Sequence, residues 1–184
     1  MISCPILAAP ATAEQAVLRD GSRVLIRPVQ PTDGVLLAEG FDRLSAQSRW
    51  FRFLTVKKEL SAAEVRYFTD IDHYDHEALG ALSQPDGRGV GIARYVRNAD
   101  DPFAADVAVA VVDDWQRRGL ATKLLTRLTE RAQLAGIRQY NVMVAADNRA
   151  VLGLLAHMGL DLQHARASFG ALEAQIALPL AALP

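Results

Sequence analysis

The 184-residue sequence has little of what several classes of protein require. Its only cysteine is Cys4, which excludes an internal disulfide and a zinc site built from cysteines. Its 20 basic residues are balanced by 21 acidic ones, whereas a protein that binds DNA or RNA needs an excess of positive charge. No apolar run is long enough to cross a bilayer. We therefore expect neither a nucleic acid nor a membrane as a partner.

What the sequence contains is typical of one globular domain. Hydrophobic residues make up 51% and charged residues 22% of the chain, and a chain of this length can bury a stable core without metals or disulfides. The first ten residues lack the basic start of a secretion signal and contain two prolines. We expect a flexible tail over 1–17, a single domain over 18–178, a second tail over 179–184, and a cytoplasmic monomer or homodimer.

Hydrophobic periodicity and turn signals predict alternating strands and helices in the first half of the chain. A strand over 24–28 follows the Asp20-Gly21 turn signal, and Thr32 or Asp33 then caps a helix. A second short helix is predicted over 45–54. Ser61 and Glu64 have the spacing of a capping box, which predicts the start of a third helix.

The second half of the sequence contains the clearest strand and the longest helix. Residues 104–112 alternate between valines on one face and Asp106 with small residues on the other. The remaining predictions, in chain order, are a hairpin of strands over 78–82 and 90–96, a helix after Trp115 that ends at Gly136, a strand over 140–144, a helix over 148–158 and a terminal hairpin around 168–170. This order indicates an α/β (α+β) sheet covered by helices and containing a parallel crossover pair.

One motif indicates a cofactor site. A strand and a short acidic link lead into Gln116-Arg117-Arg118-Gly119-Leu120-Ala121, which opens the long helix. The free main-chain N–H groups and positive dipole at a helix N-terminus suit an anionic diphosphate. Arg117 and Arg118 add positive charge, while Gly119 and Ala121 let phosphate oxygens approach the backbone. The alternative is an ordinary basic helix start.

These six residues resemble the hallmark Gln/Arg-x-x-Gly-x-Gly/Ala of the GNAT superfamily of acetyltransferases. The similarity extends over about residues 18–165 and is strongest to bacterial protein lysine acetyltransferases of the Pat type. The stretches that carry it include Leu18-Arg19-Asp20-Gly21, Ile26-Arg27-Pro28, Ala93-Arg94-Tyr95, Ala105-Asp106-Val107-Ala108 and Asp147-Asn148-Arg149-Ala150.

The resemblance implies a GNAT-like mixed sheet, mostly antiparallel, with a parallel splayed pair and flanking helices. It also implies an N-acetyltransferase that uses acetyl-CoA as co-substrate, without a metal, and a protein lysine as acceptor. The implied cofactor contacts are Val111, Val112, Gln116, Arg117, Arg118, Gly119, Leu120, Ala121, Thr122 and Asn148. Asn148 can also cap the helix that it precedes.

Acetyl transfer to an amine benefits from a base, because an amine with a pKa near 10.4 is almost entirely protonated at neutral pH. Asp106 is the candidate, as the only acidic side chain inside an apolar strand. Related Pat-type enzymes carry a Glu there, so the shorter Asp needs a bridging water or a closer substrate. The alternatives are that Asp106 only starts the strand or pairs with Arg94.

Two further parts of the reaction are implied. A strand N–H freed by a bulge near Val112 would stabilise the oxyanion. In many GNAT enzymes a Tyr protonates the leaving thiolate, and the corresponding position here is Leu155. We therefore expect the thiolate to leave unassisted, since thiols are much more acidic than amines.

The run from Asp72 to Glu77 crowds histidines and carboxylates together, as metal sites do. Its ligands lie on one short loop without a partner cluster, which favours a solvated loop and no metal. The resemblance places this loop at the acceptor site, with His76 or Glu77 as substrate contacts. Trp50, Phe51 and Phe53 either line the same cleft or belong to the core.

Two other functions remain open at this point. The same cofactor motif would serve an enzyme that acetylates a small-molecule amine. It would also serve a non-catalytic sensor that binds acyl-CoA without transferring the acyl group. Both alternatives share the cofactor site with protein acetylation. The first differs in the acceptor, and the second lacks the transfer step.

Overall fold

The computed structural model describes residues 13–179, in which eight strands form one sheet and five α-helices cover it. The strands are β1 (Glu14–Val17), β2 (Arg23–Pro28), β3 (His76–Ser83), β4 (Gly89–Arg97), β5 (Ala104–Val111), β6 (Gln139–Ala145), β7 (Gln163–Ser168) and β8 (Ala171–Ala177). The helices are α1 (Gly34–Asp42), α2 (Ala46–Phe53), α3 (Ala62–Thr69), α4 (Leu120–Leu134) and α5 (Arg149–His157).

The sheet has the order β1-β2-β3-β4-β5-β6-β8-β7 and is antiparallel except between β5 and β6. That parallel pairing extends only from Ala104↔Gln139 to Asp106↔Asn141. Beyond Asp106 the two strands separate, which opens a gap in the middle of the sheet. A mostly antiparallel sheet with one splayed parallel pair is the fold that the sequence predicts.

Local signals set the helix boundaries. The Ser61 side chain accepts from the N–H of Glu64, whose carboxylate accepts from the N–H of Ser61, so the capping box at α3 is confirmed. Ser45 caps α2 in the same way through the N–H of Ser48. Gly136 follows α4 with a φ of 83°, the left-handed conformation that lets a glycine end a helix.

The core lies on both faces of the sheet. On one face α4 buries Leu124, Leu128 and Ala132, with Leu124 packed over Gly91 of β4. On the other face α1, α2 and α3 cover the first half of the sheet, where Phe41 and Phe53 meet edge to face at 5.8 Å. The gap between β5 and β6 therefore lies next to two well packed layers.

The sheet begins earlier than the sequence predicts. Residues 14–17, assigned above to a tail, form β1 and pair with β2 from Glu14↔Ile26 to Val17↔Arg23. A four-residue edge strand with one buried side chain is too short to show a periodicity of two. The other predicted tail residues, 1–12 and 180–184, lie outside the described residues. None of the helices described is both long enough and apolar enough to cross a membrane.

Candidate active site

The segment between β5 and α4 forms a turn with free N–H groups. Arg117 and Gly119 have left-handed φ values of 60° and 86°. The first helical hydrogen bond of α4 runs from the N–H of Lys123 to the carbonyl of Gly119, at 3.2 Å. Within residues 13–179, none of the main-chain N–H groups of residues 117–122 donates a hydrogen bond. These N–H groups are available to an anion at the positive end of α4.

Side chains of the same segment hold this turn in place. Nε2 of Gln116 donates to the Val111 carbonyl at 3.1 Å and to Oδ1 of Asp113 at 2.9 Å. Arg118 forms an ion pair with Asp20 at 2.9 Å and lies over the Trp115 ring at 4.8 Å. Gln116 and Arg118 therefore support the turn, and Arg117 is left as its exposed cation.

The main chain of β5 presents alternate residues to the gap. The N–H of Val112 donates to the Val90 carbonyl at 3.1 Å, and the N–H of Asn98 donates to the Ala104 carbonyl at 2.9 Å. Because backbone groups alternate along an antiparallel ladder, those of Val107, Val109 and Val111 point away from β4, toward β6. Beyond Asp106, β6 no longer pairs with β5, so these backbone groups have no partner on β6.

This geometry corrects the prediction made for Val112. Its N–H is held by β4, its side chain is buried, and the β4–β5 register from Gly91↔Val111 to Arg97↔Ala105 has no shift. No bulge frees a donor there, because β4 continues the ladder as far as Val90. The sequence shows the strand but cannot show which of its N–H groups the neighbouring strand occupies.

A central cleft of about 1060 Å³ opens at the gap between β5 and β6. Its apolar walls come from β5, β6 and α5, and residues of α2 and α3 line its other end. The residues that the following paragraphs use are Phe51, Arg52, Phe53, Glu64, Tyr67, Phe68, Arg94, Asp106, Val107, Val109, Asn141, Asn148 and Leu155.

Asp106 lies where β5 and β6 diverge. Its side chain is exposed and lines the central cleft, where Nδ2 of Asn141 approaches Oδ1 at 3.4 Å. Among the residues described, no cation lies within ion-pair distance of this carboxylate, and this includes Arg94. Asp106 is thus an unpaired carboxylate in the cleft, and its pairing with Arg94 is not observed.

Two residues of the α5 region also face the central cleft. Asn148 is buried and caps α5, with Oδ1 accepting from the N–H of Val151 at 3.2 Å. Leu155 is buried and offers no proton donor. Thr122, Leu120 and Ala121 stand in the first turn of α4, where their main-chain N–H groups belong to the free set described above.

Glu77 was predicted to contact substrate, and the structure shows that this is wrong. Its side chain is 1% exposed and accepts from Nε of Arg131 at 2.6 Å and from the N–H of Ala78 at 2.9 Å, with Nδ1 of His73 at 2.8 Å. Side chains alternate along β3, so Glu77 faces α4 while His76 faces the opposite side. Glu77 is a buried structural carboxylate.

We expect Glu77→Ala to lower the free energy of unfolding by about 3–5 kcal/mol, because it leaves the Arg131 cation without its buried partner. Urea unfolding measures the change. The matched control is Glu130→Ala on the same helix, which removes an exposed pair with Arg127 and is expected to cost at most about 1 kcal/mol. Equal stability of the two variants would show that the Glu77 cluster contributes nothing.

His76 lies next to the end of the cleft that α3 lines, but it does not line the cleft itself. Its ring is 5.3 Å from that of Tyr67, and its Nε2 is buried without a partner among the residues described. Burial, assisted by the nearby Arg94 cation, lowers the pKa of His76 to about 4, so the ring is neutral at physiological pH. Contact between His76 and substrate stays a prediction.

The rest of the Asp72–Glu77 run is engaged within the protein. Asp72 accepts from the N–H groups of Tyr74 and His76, and Asp75 pairs with Arg97 at 2.6 Å. In the part of the chain that the structure describes, no three His, Cys, Asp or Glu side chains are grouped to hold a metal. The acidic and histidine residues here stabilise a loop.

Sequence reasoning missed one feature of the cleft. Arg52 of α2 and Arg94 of β4 both line it, 42 positions apart in the chain, and no pattern in the sequence brings them together. Phe51 and Phe53 line the cleft as well, and Phe53 also packs in the core. Trp50 is 43% exposed and lies outside the cleft lining.

This combination of splayed sheet, free N–H turn and cleft defines an acetyltransferase fold and site. Residues 45–160 match the acetyltransferase (GNAT) family model, and the chain belongs to this family. It is 38% identical to acetyltransferase PA5475 of Pseudomonas aeruginosa over 144 residues, and these residues cover 77% of each chain.

Relatives of the Pat type are also similar. Acetyltransferase Pat of Mycolicibacterium smegmatis is 30% identical over 153 residues, which cover 83% of this chain and 46% of that one; the chain thus spans about half the length of that relative. The crystal structure of the GNAT domain of S. lividans PAT superposes with a TM-score of 0.82 at 28% identity, covering 90% of this chain and 97% of that one.

A more distant structure shares the fold alone. The phosphinothricin acetyltransferase from Sinorhizobium meliloti, solved in complex with AcCoA, superposes with a TM-score of 0.71 at 16% identity, and the match covers 88% of this chain and 92% of that one. The architecture is therefore maintained across acetyltransferases with little sequence in common.

Proposed function

We propose that this chain transfers the acetyl group of acetyl-CoA to the primary amine of a protein lysine. One observation carries the proposal: the N–H groups of residues 117–122 are free at the start of α4, the helix whose Leu125 lines the cleft at the gap between β5 and β6. A diphosphate accepts hydrogen bonds from such a turn. The acetyl-CoA complex of the S. meliloti relative supports this choice of donor.

The edge of β5 provides a place for the rest of the donor. The free main-chain groups of Val107 and Val109 would pair with the amides of the pantetheine arm as an added strand does. The thioester then comes to lie near Asp106, where the strands diverge. Asn148 borders the same gap and would contact the arm from α5.

The proposed reaction uses groups that border the gap. Asp106 accepts the proton of the ammonium group through a bridging water, and the freed amine attacks the thioester carbonyl. A β5 N–H that faces the gap, of Val109 or Val111, stabilises the oxyanion in place of Val112. The attacking nitrogen then loses its second proton to water in the cleft. Collapse breaks the carbon–sulfur bond, and coenzyme A leaves as its thiolate, since Leu155 provides no proton.

Two candidates exist for the acceptor. The Pat-type relatives support a protein lysine, and the open end of the cleft beside α2 and α3 leaves room for a flexible side chain. A small-molecule amine is the second candidate, and the unpaired cations Arg52 and Arg94 at that end favour it if the molecule is also an anion.

A screen tests the function directly. The chain is incubated with acetyl-CoA and either acyl-CoA synthetase proteins or a panel of small amines, and mass spectrometry locates the added acetyl group. Thiol release is measured in parallel. Acetylated lysines support the proposal, and acetylated small amines alone support the second candidate. Binding of acetyl-CoA without transfer to any acceptor would overturn both in favour of a sensor.

A further inference from the structure

Two arginine side chains are held in the molecule without an acidic partner. Arg94 is 6% exposed, and its Nη1 is buried with no hydrogen-bond partner among the described residues. No carboxylate within residues 13–179 lies within 4 Å of Arg52 or Arg94. Burial lowers the pKa of both guanidinium groups, that of Arg52 to about 10, and Arg94 adds repulsion to Arg52.

Aromatic rings lie against both guanidinium groups. The Arg94 guanidinium carbon lies 4.7 Å from the ring centres of Tyr67 and Phe68, and that of Arg52 lies 4.9 Å from the Phe53 ring. Stacking offsets part of the cost of burying a cation. Contact with a ring face does not replace the hydrogen bonds that a buried guanidinium needs, and Nη1 of Arg94 has none among the described residues.

Two acidic residues that border the same cavities as the pair are already engaged. Glu64 lines the same cleft but pairs with Lys57 at 2.5 Å and accepts from the N–H of Ser61. Asp33, which lines the small cavity that both arginines also border, pairs with Arg27 at 2.7 Å. Two neighbouring cations in a partly buried wall of the cleft lower the stability of the fold unless a ligand supplies negative charge.

The arginines lie near Asp106, toward the end of the cleft that α2 and α3 line. Arg94 pairs with Ala108 in the β4–β5 ladder, so Arg94 and Asp106 are diagonal neighbours on the same face. Such positions are about 7–8 Å apart. A small acceptor can therefore reach both groups at once, with its amine at Asp106 and an anion at the arginines.

We infer that Arg52 and Arg94 form a subsite that binds a carboxylate of the acceptor and so directs its amine to Asp106. The inference rests on the proposed amine acetylation. The planar guanidinium forks match a carboxylate in a bidentate arrangement. The carboxylate comes either from a small amino acid or from an acidic residue near the target lysine, and the chemistry of the subsite is the same.

Pairs of acceptors that differ only in charge test the subsite. Free amino acids are compared with their carboxamides, and lysine peptides carrying an adjacent Glu are compared with the Gln versions. We expect kcat/KM to be at least about 10-fold higher for the carboxylate member in one of the two sets, as expected for a hydrogen bond to a charged group. The set that shows the preference identifies the source.

Variants locate the effect. Arg94→Met and Arg52→Met are expected to remove the preference by raising KM for the carboxylate acceptor, with little change in KM for acetyl-CoA. Arg94→Lys should restore part of it. The exposed Arg66→Met on α3 is the matched control and should behave as the wild type. If the Arg94→Met and Arg52→Met variants fail to fold, the paired acceptors still test the subsite with the wild-type chain.

The outcomes separate this inference from the proposed function. Transfer to both members of every pair at the same rate overturns the subsite and leaves the N-acetyltransferase intact. No transfer to any amine overturns the proposed function. In that case the subsite is tested by thermal unfolding in acetate and in chloride at equal ionic strength. A higher Tm in acetate that Arg94→Met abolishes supports the subsite. Equal Tm values in the two salts overturn it.

Discussion

Gly119→Glu is expected to weaken acetyl-CoA binding by at least about 100-fold, the equivalent of two lost hydrogen bonds to a charged group at about 1.5 kcal/mol each. Gly119 has a φ of 86°, so any side chain strains the turn that exposes the N–H groups of residues 117–122. The new carboxylate would also repel the diphosphate. Isothermal titration with acetyl-CoA measures the loss.

A second glycine separates the binding effect from the strain. Gly136 at the other end of α4 has a φ of 83°, and a Cβ atom there would have no neighbour within 4 Å. Gly136→Glu therefore carries a similar backbone cost of about 1–2 kcal/mol without approaching the turn. We expect it to bind acetyl-CoA with the wild-type affinity. Equal binding by the two variants would show that the diphosphate does not occupy the 117–122 turn.

Asp106→Asn is expected to lower kcat by about 100-fold or more while leaving the affinity for acetyl-CoA unchanged. The amide has the shape of the carboxylate and stays beside Asn141, but it cannot accept the proton of the ammonium group. Steady-state thiol release gives kcat, and titration gives the affinity. We expect kcat and affinity to separate because the proposed proton acceptor acts in the transfer step and lies outside the 117–122 turn.

Asp100→Asn controls for the loss of one negative charge. Asp100 lies exposed on the loop before β5, outside the cleft, so its variant is expected to keep the wild-type kcat. An Asp106→Asn enzyme as fast as the wild type would remove Asp106 from the mechanism. The amine would then have to reach the site already neutral.

Several elements could be predicted because the residues that form them are close in sequence. The capping box of Ser61 and Glu64, the glycine that ends α4 and the run from Gln116 to Ala121 are each local patterns with one favoured conformation. Strand β1 was missed because four edge residues with one buried side chain leave no pattern.

The site could be predicted only in part. Asp106 was recognisable as a carboxylate in an apolar strand, and it lines the cleft. Glu77 and His76 are neighbours in sequence, yet β3 turns one toward Arg131 and the other toward Tyr67. The resemblance placed their loop at the acceptor site but could not tell which side chain faces α4.

The sequence by itself determined the family, the order of strands and helices from β2 onward and the turn that opens α4, because backbone conformation and capping depend on residues a few positions apart. Only the tertiary structure decided that β4 occupies the Val112 N–H, that Glu77 is buried against α4, and that Arg52 and Arg94 converge in one wall. Those features arise from pairing and packing between distant segments, where burial and unmatched charge are properties of the assembled fold.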